Sequence, residues 1–573
     1  MKKIRFNNKQ KSFFFNDFYK KSPNDINKVS EERVFFLFFS VVFVISIFFL
    51  KILIISTNDR QIFLNQSESP NFKELRKEIV DRNGILLAKN IEFYDIAIRP
   101  AKVKNKKNFA LKIKYIFPEI DLKELHNKIL GDKFFYVKRR ATLEEKEKIW
   151  ALGEKGVNIE IRQSRVYPQE NLFSHIIGQI DDENHGISGI EKYYNKMLRD
   201  KSNSTDDKIE LTLDTNIQHI LREELANASK TFNAIGAAGL LMNIHTGEII
   251  SLVSLPDYNI NLRKNILSDQ YANKITSDTY ELGSVFKTFT IALALESLKY
   301  QADTMLENIP DKKKCSRNYE ISEHDDLPDK LTINDILVRS SNIGSAMLAN
   351  KIGKDDFTTF LAKLNLIHQV DLDLNELGSP LPIKWNNCTL DTISYGHGFS
   401  TTVMNVALAY AYITNGGYKI KPRFIKIKNE LNFNEQLISS ETSNKINLIL
   451  RKVVSDPNGT GSLADVDGLN VGGKTGTAYK NLNGQYTKQK LNSFVSIFPV
   501  PDPKYVLYVL IDEPKANPDF VYETWREHKN VKTSRNDAGW NAAYIAGKVL
   551  KKIGPILAIN YEDLKLNVAK KIN

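Results

Sequence analysis

Apolar residues fall along this chain in three rhythms. The first is an almost unbroken run, VFFLFFSVVFVISIFFLKILII, from Val34 to Ile55, in which Lys51 is the single charge. At a helical rise of about 1.5 Å per residue it can cross a hydrocarbon layer of about 30 Å, with the Lys51 amine reaching back to the interface. The second rhythm is alternation. IEFYDIAIRP has period two and stops at Pro100, and Asn83-Gly84 between two such runs marks a hairpin. Residues 101–155 change to the third rhythm, helical spacing, and TLEEKEKIWALGEKG opens with a threonine cap and an acidic first turn. Alternation returns in VNIEIRQSRVYP from Val157. SHIIGQIDDENHGISGIEKYYNKML then reads as a strand, a glycine-rich turn and a helix.

Beyond residue 208 the patterns describe a second unit. IELTLDTNIQHILREELANA predicts a short strand and an amphipathic helix capped by Asp214 or Thr215. GAAGLLMNIHTGEIISLVSLP predicts two apolar strands joined by a turn, NSFVSIFPV and KYVLYVLIDEP two more, and AGWNAAYIAGKVLKKI a closing helix. Strands at both ends with helices between them imply one α+β domain whose sheet is assembled from distant segments. The expected organisation is a tail at 1–33, a membrane segment at 34–55, a scaffold at 56–208 that begins with a polar linker over Ser56–Pro70, the α+β domain at 209–560 and a tail at 561–573.

Charge changes the picture at one end only. The 573 residues carry a formal net charge of +12. Residues 1–33 hold nine Lys/Arg against four Asp/Glu, and the remaining excess is spread thinly over 540 residues. No nucleic-acid-binding signature accompanies it, so no nucleic-acid partner is expected. A basic tail before the apolar run places the N-terminus in the cytoplasm and the bulk of the chain outside. No small-residue cleavage site follows the run, which therefore reads as an uncleaved single-pass anchor rather than a signal peptide. Cys315 and Cys388 are the two cysteines. The simplest reading is two unpaired buried thiols, and a single bridge stays open in an oxidising compartment.

The candidate chemistry begins at YELGSVFKTFTIALALESL. Ser284 and Lys287 are one helical turn apart, so the amine can reach the hydroxyl at the start of a helix that is otherwise apolar. That position offers backbone N–H groups and the positive end of the helix dipole, which suit a nucleophile and an oxyanion. LVRSSNIGSAM supplies Ser340, Ser341 and Asn342 before another apolar helix, and NVGGKTGTAYK supplies Lys474, Thr475, Gly476 and Thr477 in a strand-like context. Each alone is ordinary, as a helix cap or a turn. Neither H-E-x-x-H nor clustered Cys/His occurs, so neither a metal nor any other cofactor is implied.

In the order S-x-x-K, S-x-N, K-T-G these segments resemble the penicillin-recognising serine acyltransferases. With the anchor, RKEIVDRNGILLA, RVYP, HIIG and GISGIEKYY, the resemblance covers nearly the whole exported chain and is to the class B penicillin-binding proteins. RSSNIG, SYGHG, KTGTAYKNLNGQY and AGWNAAYIAG look more like the division-specific, FtsI-type members than the elongation-specific ones. Lys77 departs from the pattern, which usually has glycine there. The resemblance implies a bacterial inner-membrane protein with a mixed α/β pedestal and a periplasmic, serine β-lactamase-like transpeptidase domain, an antiparallel sheet flanked by helices plus an all-helical part. It implies an acyl-enzyme D,D-transpeptidase that acts on D-Ala-D-Ala stem peptides of peptidoglycan and is blocked by β-lactams. Its partners would be an FtsW-type glycosyltransferase and other division proteins.

Carried over by motif, Ser284 is the nucleophile and Lys287 its base. Partial burial and a second cation, Lys474, would lower the pKa of Lys287, Ser340 would be a proton relay, and Asn342 the group that holds Lys287 and a substrate amide. Lys474 and Thr475 would bind the terminal carboxylate, Gly476 would let substrate backbone approach, and the N–H groups of Ser284 and Thr477 would form the oxyanion hole. Tyr395 and Gly396, in Tyr395-Gly396-His397-Gly398, either line the same cleft and bind substrate or form a structural turn. An elongation-specific transpeptidase, a penicillin hydrolase, and a non-catalytic division scaffold or β-lactam sensor remain alternatives.

Overall fold

The computed structural model describes residues 34–52, 76–181, 183–200, 207–262, 267–297, 299–317, 319–426, 435–482, 485–523 and 530–572. The basic tail, the last three residues of the apolar run and the expected linker lie outside them. The chain divides into two compact units, residues 1–75 and 76–573. In the first, α1 (Val34–Ile52) is the one helix among the described residues long and apolar enough to span a membrane.

The second unit opens with the scaffold. β1 (Glu78–Val80) turns at Asn83-Gly84 into β2 (Leu86–Ile98), as the hairpin signal predicts. Two helices follow, α2 (Lys106–Ile116) and α3 (Leu122–Leu130). A strand then interrupts the stretch expected to be helical. β3 (Phe135–Ala141) pairs antiparallel with β2, because FYVKRRA presents aromatic and β-branched residues to that edge. α4 (Leu143–Trp150) carries the full capping box of Thr142 and Glu145, β4 (Val157–Val166) pairs along the length of β2, and β5 (Lys208–Glu210) runs parallel to β1. The strand expected at SHIIGQI is instead a short helix, Ser174–Ile177, followed by an isolated bridge from Ile180 to Gly186. Gly178, at φ +75°, breaks the segment where it crosses the backbone of Ser188. Lys77 is buried, its N–H donating to the Leu198 carbonyl.

Two buried arginines hold the scaffold to itself. The Glu191 carboxylate takes Arg76 at 2.8 Å and Arg165 at 2.7 Å, all three side chains being fully shielded from solvent. Three charges out of water persist only when paired and hydrogen-bonded. The D-R-N-G turn in turn grips the catalytic half. Asp81 accepts from the N–H and hydroxyl of Thr215, and Asn83 donates to Asp214, which is the residue that caps α5 (Thr215–Thr231).

The catalytic half is built on one antiparallel sheet. β6 (Gly236–Asn243) and β7 (Ile249–Leu255) form one side of it. Next in the chain come α6 (Lys287–Ser297), the hairpin β8 (Lys312–Ser316) and β9 (Tyr319–Ser322), α7 (Asn342–Ile352), α8 (Val403–Thr414) and α9 (Ser440–Ser455). β10 (Gly472–Leu482), β11 (Gln485–Phe498) and β12 (Tyr505–Asp512) return to the sheet, whose order is β10-β11-β12-β6-β7. Successive residues of β12 face opposite cores. Val506, Tyr508 and Leu510 join the helical side, whereas Leu507, Val509 and Ile511 join α5 and α10 (Ala542–Ile572). Both faces are covered, which is why these strands read as continuous apolar runs. α10 continues through residues expected as a tail, in a run of good helix formers, EDLKLNVAKK.

The two cysteines are bonded to each other, Cys315 of β8 to Cys388, across a sequence separation of 73. The expectation of unpaired buried thiols fails because Cys315 is a half-buried residue of the hairpin, packed against the core beside Cys388. The two Cα atoms stand 5.0 Å apart, well inside bridging range.

Candidate active site

Three chain segments more than fifty residues apart meet at one point. Ser284 sits in a 3₁₀ turn, Gly283–Phe286, that leads directly into α6. Every residue of α6 from Lys287 to Leu295 is buried, so the helix runs through the core and its polar end opens at the surface. α7 begins at Asn342 with Ser341 as its cap, Ser341 Oγ accepting from the Gly344 N–H at 2.9 Å. β10 is the edge strand of the sheet, so the side of it not paired with β11 is open to the serine turn.

Glycine makes that approach close. A Cβ on Gly476 would stand 2.6 Å from the Leu282 carbonyl oxygen and 2.7 Å from Ser493 Oγ. Gly396 plays the same part behind the turn. It has φ +84°, its carbonyl accepts from the Gly283 N–H at 3.1 Å, and a Cβ there would meet the Gly283 oxygen at 2.1 Å. Gly396 therefore packs against the serine turn rather than lining the cleft, which corrects its expected substrate contact: backbone, not open space, lies in front of it.

The polar atoms form a continuous chain. Lys287 Nζ is 3.0 Å from Ser284 Oγ, 3.0 Å from Ser340 Oγ and 2.5 Å from the Ser340 carbonyl oxygen. Lys474 Nζ reaches the same Ser340 hydroxyl at 2.9 Å. Ser340 thus stands between two amines, in a left-handed conformation (φ +63°) that is uncommon for a non-glycine residue. Burial pushes the Lys287 amine down to about 7, with the Glu323 carboxylate opposing. Lys474 is held well below the ordinary lysine range by burial and then by the charge of Lys287. Of the two expected causes, burial and a neighbouring cation, burial is the one that lowers Lys287. An amine with these properties can accept a proton from a hydroxyl at neutral pH.

The cleft beside this chain has a volume of about 850 Å³. Thr475, Thr477 and Tyr395 line it as expected, and Asn342 does too. The Thr475 hydroxyl pairs with that of Thr460 at 2.8 Å, and Thr477 Oγ1 accepts from the Ala538 N–H at 3.1 Å. Asn342 departs from its expected role. Its side-chain amide donates to the Ser322 carbonyl at 2.9 Å, and among the described residues no hydrogen bond joins it to Lys287. His397 also faces the cleft, held down to about 4 by burial and by Lys287, and is therefore uncharged at neutral pH.

Sequence reasoning missed Glu323, which accepts from Ser341 Oγ at 2.6 Å, from the Asn342 N–H at 2.7 Å and from the Ile343 N–H at 3.0 Å. It also missed Thr460 and the ionic group of Asp537, Arg535 and His324 at the cleft mouth. Glu323 stands in the acidic run SEHDD, where no spacing separates it from solvated neighbours. The sequence carried no signal for it.

Comparison with known proteins agrees with this geometry. Residues 237–530 match the family described as the penicillin binding protein transpeptidase domain, and residues 73–210 the penicillin-binding protein dimerisation domain. The chain is 32% identical over 511 residues to the probable peptidoglycan D,D-transpeptidase FtsI of Caulobacter vibrioides, covering 86% of this chain and 83% of that one. It is 30% identical over 484 residues to the peptidoglycan D,D-transpeptidase FtsI of Buchnera aphidicola, covering 77% and 83%. The crystal structure of penicillin binding protein 2X from Streptococcus thermophilus shares the fold, with a TM-score of 0.70 at 21% identity, over 85% of this chain and 80% of that one. The chain belongs to the class B penicillin-binding proteins, as a transpeptidase of the FtsI type.

Proposed function

We propose that this transpeptidase cross-links peptidoglycan stem peptides during septal wall synthesis, through an ester on Ser284. The observation that carries the reading is the unbroken path Ser284 Oγ–Lys287 Nζ–Ser340 Oγ–Lys474 Nζ, with each step at 2.9 to 3.0 Å. Neutral Lys287 takes the Ser284 proton as Oγ attacks the penultimate D-Ala carbonyl. The carbon–nitrogen bond breaks, and the leaving D-Ala amine receives a proton through Ser340. An acceptor amine then attacks the ester and gives its proton to Lys287, which is neutral again once the D-Ala amine has left; the ester carbon–oxygen bond breaks, and the Ser284 oxygen takes that proton back from Lys287. Ser284 and Thr477 N–H groups hold the oxyanion, Lys474 and Thr475 hold the terminal carboxylate, and Asn342 and Tyr395 line the peptide's path. β-Lactams acylate the same serine.

The chain is anchored in the inner membrane by α1, with its N-terminus in the cytoplasm and the catalytic half in the periplasm. The apolar helix, the basic residues before it and the Cys315–Cys388 bridge support this topology. An FtsW-type glycosyltransferase is the partner that the family resemblance implies. Fluorescent penicillin labels the wild type and fails to label Ser284→Ala; labelling of Ser284→Ala would overturn the acyl-enzyme assignment. Depletion produces filaments, whereas rounded cells would assign the enzyme to elongation.

A further inference from the structure

We infer that Glu323 is a positioning residue of the acylation machinery: its carboxylate holds the start of α7, and with it Ser340, against Lys287. The inference deepens the acyl-enzyme reading and rests on it. Three donors converge on this one side chain, the Ser341 hydroxyl at 2.6 Å and the N–H groups of Asn342 and Ile343 at 2.7 and 3.0 Å. Ser341 satisfies the Gly344 N–H, so the two side chains together satisfy the first turn of the helix. Ser322, next to Glu323, takes the Asn342 side-chain amide on its carbonyl. The S-x-N segment is thus gripped from one side by two consecutive residues.

That grip is transmitted to the reacting groups by Ser340, which immediately precedes the cap. Its left-handed backbone aims its carbonyl and hydroxyl at Lys287 together. A non-glycine residue keeps such a conformation only when its surroundings impose it. Glu323 is itself fixed, since it follows directly on β9. The β8–β9 hairpin is tied by the Cys315–Cys388 bridge and by Lys313 to Asp391 at 2.5 Å. Asp391 also accepts from Asn350 of α7. Hairpin and helix are therefore joined at both ends of α7, and Glu323 is the joint nearest the chemistry.

The carboxylate also acts on Lys287 through space. The groups facing that amine are the Ser284 and Ser340 hydroxyls, Lys474 from β10, His397 from the loop after Thr389–Ile393, and Glu323. Glu323 is the anion among them, and it favours the protonated amine. A helix cap with a purely structural role would not move the pH dependence of acylation, whereas this one does.

The test is the second-order rate of acylation by fluorescent penicillin between pH 5 and 9.5, with thermal melts, for wild type, Glu323→Gln and Glu323→Asp. Glu323→Gln removes the charge and one acceptor, so its plateau rate falls about tenfold, as expected for a small misplacement near reacting atoms. Its midpoint moves to lower pH by about half a unit. Glu323→Asp keeps the charge but withdraws from its donors, so its midpoint stays with wild type while its plateau falls. A Glu323→Gln protein with wild-type plateau and midpoint overturns the inference. So does a loss of rate that tracks the folded fraction alone at an unchanged midpoint. Where Glu323→Gln shows no cooperative melt, Glu323→Asp decides: a folded variant with a wild-type plateau overturns the inference, and a lowered plateau at an unchanged midpoint supports it. Wild type that takes up no penicillin refutes the acyl-enzyme reading itself, and this inference with it.

Discussion

Acylation of Ser284 should titrate with Lys287. The amine is enclosed by α6, Ser340 and β10, and burial moves it from the ordinary 10.5 to about 7. That displacement corresponds to about 5 kcal/mol of disfavoured charge. At pH 7 about half of the enzyme then carries the free amine, on the order of a thousandfold more than an unshifted lysine would offer. The direction follows from the chemistry: only the neutral amine can take the serine proton, so the rate rises with pH and levels off above the midpoint. Between pH 6 and 5 it should fall about tenfold, as the free-amine fraction drops from about 10% to about 1%. Stopped-flow acylation with a fluorescent penicillin at constant ionic strength, from pH 5 to 9.5, measures this curve. Lys287→Arg is the control, since guanidinium stays protonated across the whole range. Its residual rate should be lower by at least about a hundredfold and show no inflection near 7. A wild-type rate that still climbs past pH 9, or one flat from pH 5 upward, would refute the assignment of Lys287 as the base.

Three further outcomes test the packing around the site. Gly476→Ala drives a methyl group into the Leu282 carbonyl and Ser493 Oγ, so it should cost about 1–3 kcal/mol of stability and slow acylation, read by melting and labelling together. Glu191→Gln leaves Arg76 and Arg165 without their shared anion in a buried site, and the urea midpoint should fall by an amount equivalent to about 3–5 kcal/mol. Cys315→Ser opens a loop of sequence separation 73, for which chain entropy sets a loss of up to about 4 kcal/mol. A thiol reductant should lower the melting temperature of wild type and leave that of the variant unchanged.

What the chain reveals when read in order is chemistry that repeats locally or sits at fixed spacing. The long apolar run predicts α1, alternation finds β2 and β4, short continuous apolar runs find β6, β7, β11 and β12, and the turn Asn83-Gly84 finds the first hairpin. Ser284 and Lys287 are legible because one helical turn separates them, and Ser340, Asn342, Lys474 and Thr475 because short motifs carry them. Such features depend on neighbours along the chain, and periodicity records neighbours. The rest depends on neighbours in space. β3 is a strand because β2 offers an edge, not because FYVKRRA stands out among helical residues. Gly396 serves the back of the serine turn, Asn342 turns to Ser322, and Cys315 finds Cys388 across 73 positions. Glu323 is one acidic residue in SEHDD until the hairpin brings it beneath α7. Folding selects it there by satisfying three donors at once, a condition that exists only after hairpin and helix have met.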